Sequence, residues 1–368
     1  MPKKKAKRQA EKKLPTMPKR ERLEPLWKGP EVDGVTQSML STFLVCPERF
    51  RVSVIEGLGP ADTFRRALEY GSMWHECEEA LAGGGDDGIW RSYLLTYTMK
   101  LLTKYPLQQE QVQHWYHVCK MQFPFYLEYW AKHKDVKART PLLSEKVFCV
   151  PYTIPSGRVV LLKGKWDSVD IVGKGHNQRV WLQENKTKGD IKEELIQRNL
   201  GFDLQTMTYV VALLASGETQ GLEFGGVRYN VVRRPLSGGK GSIRQHKPTK
   251  KNPLRESLES FYHRLGLIIQ EDPSYFFMRW NVQLSSDDIE RFKQRFLNPT
   301  LERLCIWYDW VSSGGLFDTP NAIHWQYPFG VWNPIDQSGA SELDEYLATG
   351  SKVGLERKTT LFPELEDA

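Results

Sequence analysis

The residues best suited to chemistry fall in two short segments, Gly164-Lys165-Trp166-Asp167 and Gln183-Glu184-Asn185-Lys186. Both sit in stretches rich in Val, Leu and Trp that read as extended chain, with Asp167 at the end of a strand pair. Glu184 and Lys186 are two residues apart, so on a strand their side chains project from one face. Two carboxylates and an ammonium gathered on a sheet face are costly to bury unless an ion compensates them. Asp167 and Glu184 offer the hard oxygen ligands that hold Mg²⁺ or Mn²⁺, with positions left over for water and a phosphate oxygen. Lys186 beside such an ion would stabilise negative charge developing on phosphorus during phosphodiester hydrolysis. A Glu-x-Lys triplet is nevertheless common by chance in a chain with 26% charged residues, and alone it describes a surface ion pair equally well.

Two helical segments add to this set. His75 follows the small pair Gly71-Ser72, which lets a helix approach its neighbour closely and favours an inward-facing imidazole; Glu79, four residues on, shares its face. Gln205 and Tyr209, again four apart, form a polar stripe on a helix otherwise lined with Leu204, Met207, Val210, Val211 and Leu214. The elements that must position these groups change character along the chain. Apolar residues at helical spacing run through Ser38 to Phe50, a segment capped by Asp62 and ended by Gly83, Gly84 and Gly85, Ile89 to Tyr105, and Gln108 to His133, so the first third is helical. From Glu145 the period becomes two: Val147 to Ile154 and Val159 to Leu162 make a hairpin about Pro155-Ser156-Gly157, Val169 to Val172 is a third strand, and Val180-Trp181-Leu182 begins a fourth. Phe202 to Ala215 is a helix, Phe224 to Val232 is extended, and Leu254 to Ile269 and Asp287 to Ser312 are helices. The fold class is mixed α/β (α+β): a central mixed sheet flanked by helices, with a helical N-terminal third and a C-terminal helical and loop extension.

These pieces, in this order, resemble the RecB-type nucleases of the PD-(D/E)XK superfamily. Members begin with a Ser-rich helix ending in Cys-Pro and an aromatic, matched by Ser38-Met39-Leu40-Ser41 and Cys46-Pro47-Glu48-Arg49-Phe50. Gly71 and His75 then match Gly-x-x-x-His, Gly164 and Asp167 match G-x-x-D, Glu184 and Lys186 match E-x-K, and Gln205 and Tyr209 match Q-x-x-x-Y. The resemblance covers roughly residues 36 to 232. It implies a restriction-endonuclease-like core with a four-stranded sheet and DNA as substrate. It implies a metal held by His75, Asp167, Glu184 and the backbone carbonyl of Asn185, with Lys186 aiding the nucleophile beside Asp167 and Glu184. Gln205 and Tyr209 would position the active site or the DNA strand. Many relatives hold an iron–sulfur cluster through one Cys near the N-terminus and three near the C-terminus. Cys46 matches the first, but no cysteine follows Cys305. No cluster is therefore expected, Cys46 is expected to be a buried thiol, and the aromatic set His324, Trp325, Tyr327, Phe329 and Trp332 is expected to clamp the terminal segments instead.

An apolar share of 40% with 12 Trp excludes a disordered or fibrous chain, and five scattered cysteines without a C-x-x-C pair argue against a zinc knuckle or a disulfide framework. No window is long and apolar enough to span a bilayer, so no membrane partner is expected and the location expected is the cytoplasm of a bacterial or phage-infected cell. No G-x-x-x-x-G-K-[ST] appears, so any helicase or recombination motor would be a separate partner. The net charge of +6 is unevenly placed: residues 1 to 28 hold eleven Lys/Arg against three acids, and the remainder 40 bases against 42 acids. The expected organisation is a basic arm over 1–35, a nuclease core over 36–235 with helical part 36–140 and sheet part 145–235, a basic loop over 236–252, and an extension over 253–368 packing on the core. Lys240, Arg244, Lys247, Lys250 and Lys251 in that loop are candidate phosphate contacts. The function expected is a metal-dependent DNA exonuclease of recombination, repair or turnover. The rivals are a catalytically silent DNA-binding protein on a nuclease fold and an aromatic interaction scaffold. Symmetry, strand polarity and number of metals have no signature in the sequence.

Overall fold

The computed structural model describes residues 23–60, 63–82, 88–133, 139–194, 196, 202–235, 243–248, 254–313, 346, 350–362 and 365. Seven strands occur among them: β1 (Leu58–Pro60), β2 (Arg139–Thr153), β3 (Val159–Val172), β4 (Arg179–Lys188), β5 (Glu223–Arg233), β6 (Phe277–Val282) and β7 (Leu355–Arg357). The helices are α1 (Gln37–Val45), α2 (Pro47–Phe50), α3 (Arg66–Ala82), α4 (Trp90–Lys104), α5 (Gln109–Ala131), α6 (Leu204–Ser216), α7 (Leu258–Glu271), α8 (Pro273–Phe276), α9 (Ser286–Phe292) and α10 (Asn298–Ser312). The central sheet has the order β2-β3-β4-β5-β6. All its pairs are antiparallel except β4 and β5, which are parallel because α6 carries the chain back across the sheet between them.

Each sheet face is covered by its own apolar layer. On one side Met39, Leu40 and Phe43 of α1, Met207, Val210 and Val211 of α6, and Leu301, Leu304 and Trp307 of α10 pack on Leu162, Val169, Val180 and Leu182. On the other, α3, α4, α5 and α7 bring together Trp74, Trp90, Trp115, Phe123, Phe261 and Leu265 against Val232 and Phe277. Aromatic edge contacts such as Trp74 to Phe123 at 5.0 Å between ring centroids fill this second layer. No helix among the described residues is long and apolar enough to cross a membrane.

Several elements differ from the sequence reading. The sheet has five strands rather than four, because Phe277–Val282, beyond the stretch of resemblance, pairs with β5. Val159–Val172 is one strand rather than two. Its burial alternates on even residues through Trp166 and then slips, so that Val169 faces the core, and the slip mimics a break. Strand β2 starts at Arg139, six residues before the change of period, in a stretch whose residues are mostly half-buried. The basic arm also ends earlier than its charge suggests. Trp27 is fully buried, 5.1 Å from the ring of Phe50 and 4.9 Å from that of Tyr308, and its Nε1 donates to the Gly34 carbonyl. Residues 30–35 run along β3, where Val35 takes the Leu161 carbonyl and gives its own to Lys163. A few apolar residues with a free strand edge to pair with outweigh the charge of their neighbours. Residues 1–22, Asp62, Gly83 to Gly85, and the aromatic set His324 to Trp332 lie outside the described residues.

The two ends of the described chain are clasped. Arg51, buried, is gripped by the carboxylates of Glu48 and Glu56, with its Nε 3.0 Å from Glu48 Oε2. Tyr346 donates to Glu56 Oε2 at 2.6 Å, and β7 pairs antiparallel with β1. Cys46 caps α2, its sulfur accepting from the Arg49 N–H at 3.4 Å, and is buried.

Candidate active site

The site is made by a fork in the sheet. The β3–β4 ladder stops at Ser168 opposite Gln183, while β4 continues with β5 as far as Lys188 opposite Arg233. Asp167 and Glu184 are the next residues on each side of the fork. An N–H freed by the fork is used at once: the Asn185 amide donates to Asp167 Oδ2 at 2.7 Å, which anchors one carboxylate oxygen and leaves the other free. Elsewhere on β3, residues 30–35 cover the open edge at Leu161 to Lys163, so among the described residues the gap stays open beside Gly164 to Asp167.

Each motif residue has a local reason for its place. Gly71 lets α3 sit directly on β4, since a Cβ there would lie 3.2 Å from Thr187 Oγ1. That approach carries His75, one turn later, to the fork, with Nδ1 3.9 Å from Asp167 Oδ1. Gly164 makes room for two rings, because a Cβ there would come within 2.7 Å of Phe148 and 2.8 Å of Tyr209. Tyr209 is half-buried, its backbone carbonyl accepting from Trp166 Nε1 at 3.2 Å; Gln205 lies one helical turn before it, also half-buried. Asp203 caps α6 by accepting the Thr206 N–H at 2.9 Å, fixing the start of the helix that carries both.

Glu184 is wholly buried, and its Oε1 has no hydrogen-bond partner among the described residues. Lys186 Nζ lies 3.0 Å from its Oε2 in an ion pair. Burial raises the Glu184 carboxyl to about 7, against the pull of Lys186 and with a further push from Asp167. Burial works against the charge of Lys186, but Glu184 and Asp167 outweigh it and hold the ammonium well above its ordinary pKa. Burial likewise opposes protonation of His75, yet Asp167, Glu145 and Glu78 together lift it to about 9. A buried carboxylate with an unpartnered oxygen, next to a second carboxylate that an imidazole approaches, is an environment that a divalent cation fits.

The sequence reading placed His75, Asp167, Glu184, Lys186 and Tyr209 in one site, and the fold brings them together. It missed Glu145 and Glu78. Glu145 lies across β2–β3 from Asp167, between the pairs Ser144–Ser168 and Lys146–Trp166, and its Oε1 is 3.9 Å from His75 Nδ1. Donor atoms of His75, Glu145 and Asp167 all fall within 4.8 Å of one another. Nothing in Leu143-Ser144-Glu145-Lys146 marks this glutamate out; its proximity is a property of pairing register. Glu78, with Oε2 4.0 Å from His75 Nδ1, faces the site, whereas Glu79, picked by its four-residue spacing, pairs with Lys165 at 3.1 Å. Beneath the site a polar chain runs from Glu78 through the Tyr126 hydroxyl and the Asn230 amide to Asn185 Oδ1, with bonds of 2.8, 2.7 and 3.1 Å. Of the loop cations, Arg244 and Lys247 are exposed, on a segment held to Glu256 by the His246 N–H, while Lys240, Lys250 and Lys251 lie outside the described residues.

A search of curated proteins finds no match to the chain. The family model of the PD-(D/E)XK nuclease superfamily, by contrast, matches residues 35–299, a span that begins where the chain first pairs with β3 and runs past β6 into α10. With a match over most of its length, and with the forked mixed sheet placing Asp167, Glu184 and Lys186 together, the chain belongs to the PD-(D/E)XK nuclease superfamily.

Proposed function

We propose that this member of the superfamily is a RecB-type DNA nuclease that works from DNA ends, with Asp167, Glu184, His75 and the Asn185 carbonyl holding Mg²⁺ or Mn²⁺. The observation that carries the reading is Glu184, fully buried, with Lys186 at one carboxylate oxygen and no hydrogen-bond partner at the other. A divalent ion held there supplies Lewis-acid polarisation of a phosphate oxygen and of the attacking water. The chain's own groups do the rest. Asp167 is kept in place by the Asn185 N–H. Lys186, held as an ammonium, presents a donor where negative charge accumulates on the phosphoryl group. Tyr209 and Gln205, on one face of α6, line the approach of the strand. Arg244, Lys247 and the other loop cations add phosphate contacts that carry no sequence preference. The biological setting proposed is recombination, repair or turnover of DNA, with any helicase supplied by another chain.

The test is cleavage of end-labelled linear and of closed circular duplex DNA in Mg²⁺ by the wild type, Asp167→Asn and Glu184→Gln. Degradation of the linear substrate alone, lost in both variants with their circular dichroism unchanged, is the outcome expected. Equal cutting of circles would make the enzyme an endonuclease. DNA binding without cleavage by the wild type would favour the silent-binder reading, and near-normal activity of Asp167→Asn would overturn the site.

A further inference from the structure

Glu145 is the residue of the site that no motif contains. It sits in the middle of a fifteen-residue strand with φ at +47°, a left-handed conformation that residues other than glycine rarely adopt. The local chain is irregular on both sides of the pair: a register shift falls between Pro141 and Leu143 on β2, and the burial phase of β3 slips just after Trp166. Irregularities of this kind re-aim a side chain, and here they aim two carboxylates at one point. The Glu145 side chain is 7% exposed. Its Oε2 is taken by Lys165 Nζ at 3.0 Å, and its Oε1 is turned to His75. Lys165 also has Glu79 at 3.1 Å, so it does not depend on Glu145 for a carboxylate partner.

Two further buried carboxylates adjoin this cluster. Glu184, across the fork from Asp167, is fully buried with Lys186 at its Oε2 and no hydrogen-bond partner at its Oε1, and Glu78 Oε2 is buried without a hydrogen bond, 4.0 Å from His75 Nδ1. The His75–Glu145–Asp167 group itself brings one donor atom from each residue within 4.8 Å of the others. Glu184 is not among those three, so Asp167 stands between two carboxylate neighbours on different strands. We propose that Glu145 is a metal ligand, forming with His75 and Asp167 a cation subsite on the β2 side of the fork, distinct from the Glu184 side. This rests on the metal-dependent reading above and extends it by one ligand and one direction of approach. Oxygen-rich donors with a single imidazole suit Mn²⁺ and Mg²⁺ rather than a thiophilic metal.

The experiment is calorimetric titration of the full chain with Mn²⁺, alongside melting temperatures measured in chelator. Glu145→Gln keeps the shape of the side chain and removes its charge; it is expected to weaken Mn²⁺ binding about 10- to 100-fold, with a metal-free melting temperature at or above that of the wild type. Glu145→Gly, which adopts positive φ freely, is the second variant and should show the same loss of Mn²⁺ without loss of fold. Wild-type Mn²⁺ affinity in Glu145→Gln, with binding abolished in Asp167→Asn, would overturn the Glu145 assignment and leave the proposed function standing. Equal Mn²⁺ binding by the wild type and Asp167→Asn would overturn the metal site and this inference together. If both Glu145 variants melt well below the wild type in chelator, Glu145 is a structural link to Lys165 and the proposal falls.

Discussion

Lys186 is held charged by Glu184 and Asp167, so its removal separates two roles a lysine can play beside DNA. A donor aimed at developing charge is worth ~3–4 kcal/mol, whereas one phosphate contact among many contributes little to affinity. Lys186→Ala should therefore lose several orders of magnitude in single-turnover cleavage while binding DNA almost as the wild type does in chelator; matching losses in rate and affinity would make it a docking residue. The carboxyls of the same site predict a pH profile. Burial lifts Glu184 and Glu78 to about 7 from the usual 4.5. A group raised in the folded state stabilises below its unfolded pKa, and that stabilisation disappears as pH rises through the folded value. His75, raised from 6.5 to about 9 despite its burial by Asp167, Glu145 and Glu78, has the same sign in a later window. The melting temperature in chelator is thus expected to fall as pH rises from about 4.5 to about 9, and saturating Mg²⁺ to flatten the curve. A profile in chelator that is flat or rises across that range would show that these carboxyls are not desolvated.

At the scale of elements, the glycine of G-x-x-D is there to seat α6. Gly164→Ala would push a methyl to 2.7 Å from Phe148 and 2.8 Å from Tyr209, both in the packed layer between β3 and α6. Overpacking of this kind costs about 1–3 kcal/mol, so denaturant unfolding should show that loss and cleavage should drop as Tyr209 shifts; a variant as stable as wild type would mean the rings move aside freely. Elements with a strong period were legible before the structure. The helices α3, α4, α5, α6 and α7, the β2–β3 hairpin and β5 fall close to where apolar spacing puts them. What was not legible is what only pairing decides. The slip in β3 looks like a gap between strands, β6 is six residues with two buried, and Glu145 gains its place from its partner strand. The positions of the motif residues could be read where a candidate residue is paired with a fixed local requirement, such as His75 with Gly71 and the approach of α3 to Thr187.

At the scale of the molecule, the basic N-terminal stretch and the packed body overlap at Trp27. Residues 1–22 carry ten Lys/Arg against two acids, whereas the next few residues include Trp27, wholly buried between Phe50 and Tyr308. Deleting 1–22 should weaken DNA binding and flatten its dependence on salt while leaving the melting temperature unchanged. Deleting 1–28 should in addition destabilise by about 3–5 kcal/mol, the scale of losing a buried Trp. An unchanged salt slope after the shorter deletion would assign phosphate contacts to the folded body.

The clasp of Arg51, Glu56 and Tyr346 joins residues 290 positions apart in sequence. Contacts so distant must close a very long loop of chain, and they form late, after the local helices and hairpins. Interactions made after the folding barrier act almost entirely on the rate of escape from the native state. The clasp is therefore a brake on unfolding rather than an aid to folding: Tyr346→Phe, which removes the bond to Glu56, should shorten the lifetime of the native protein in a denaturant jump and leave its refolding rate unchanged.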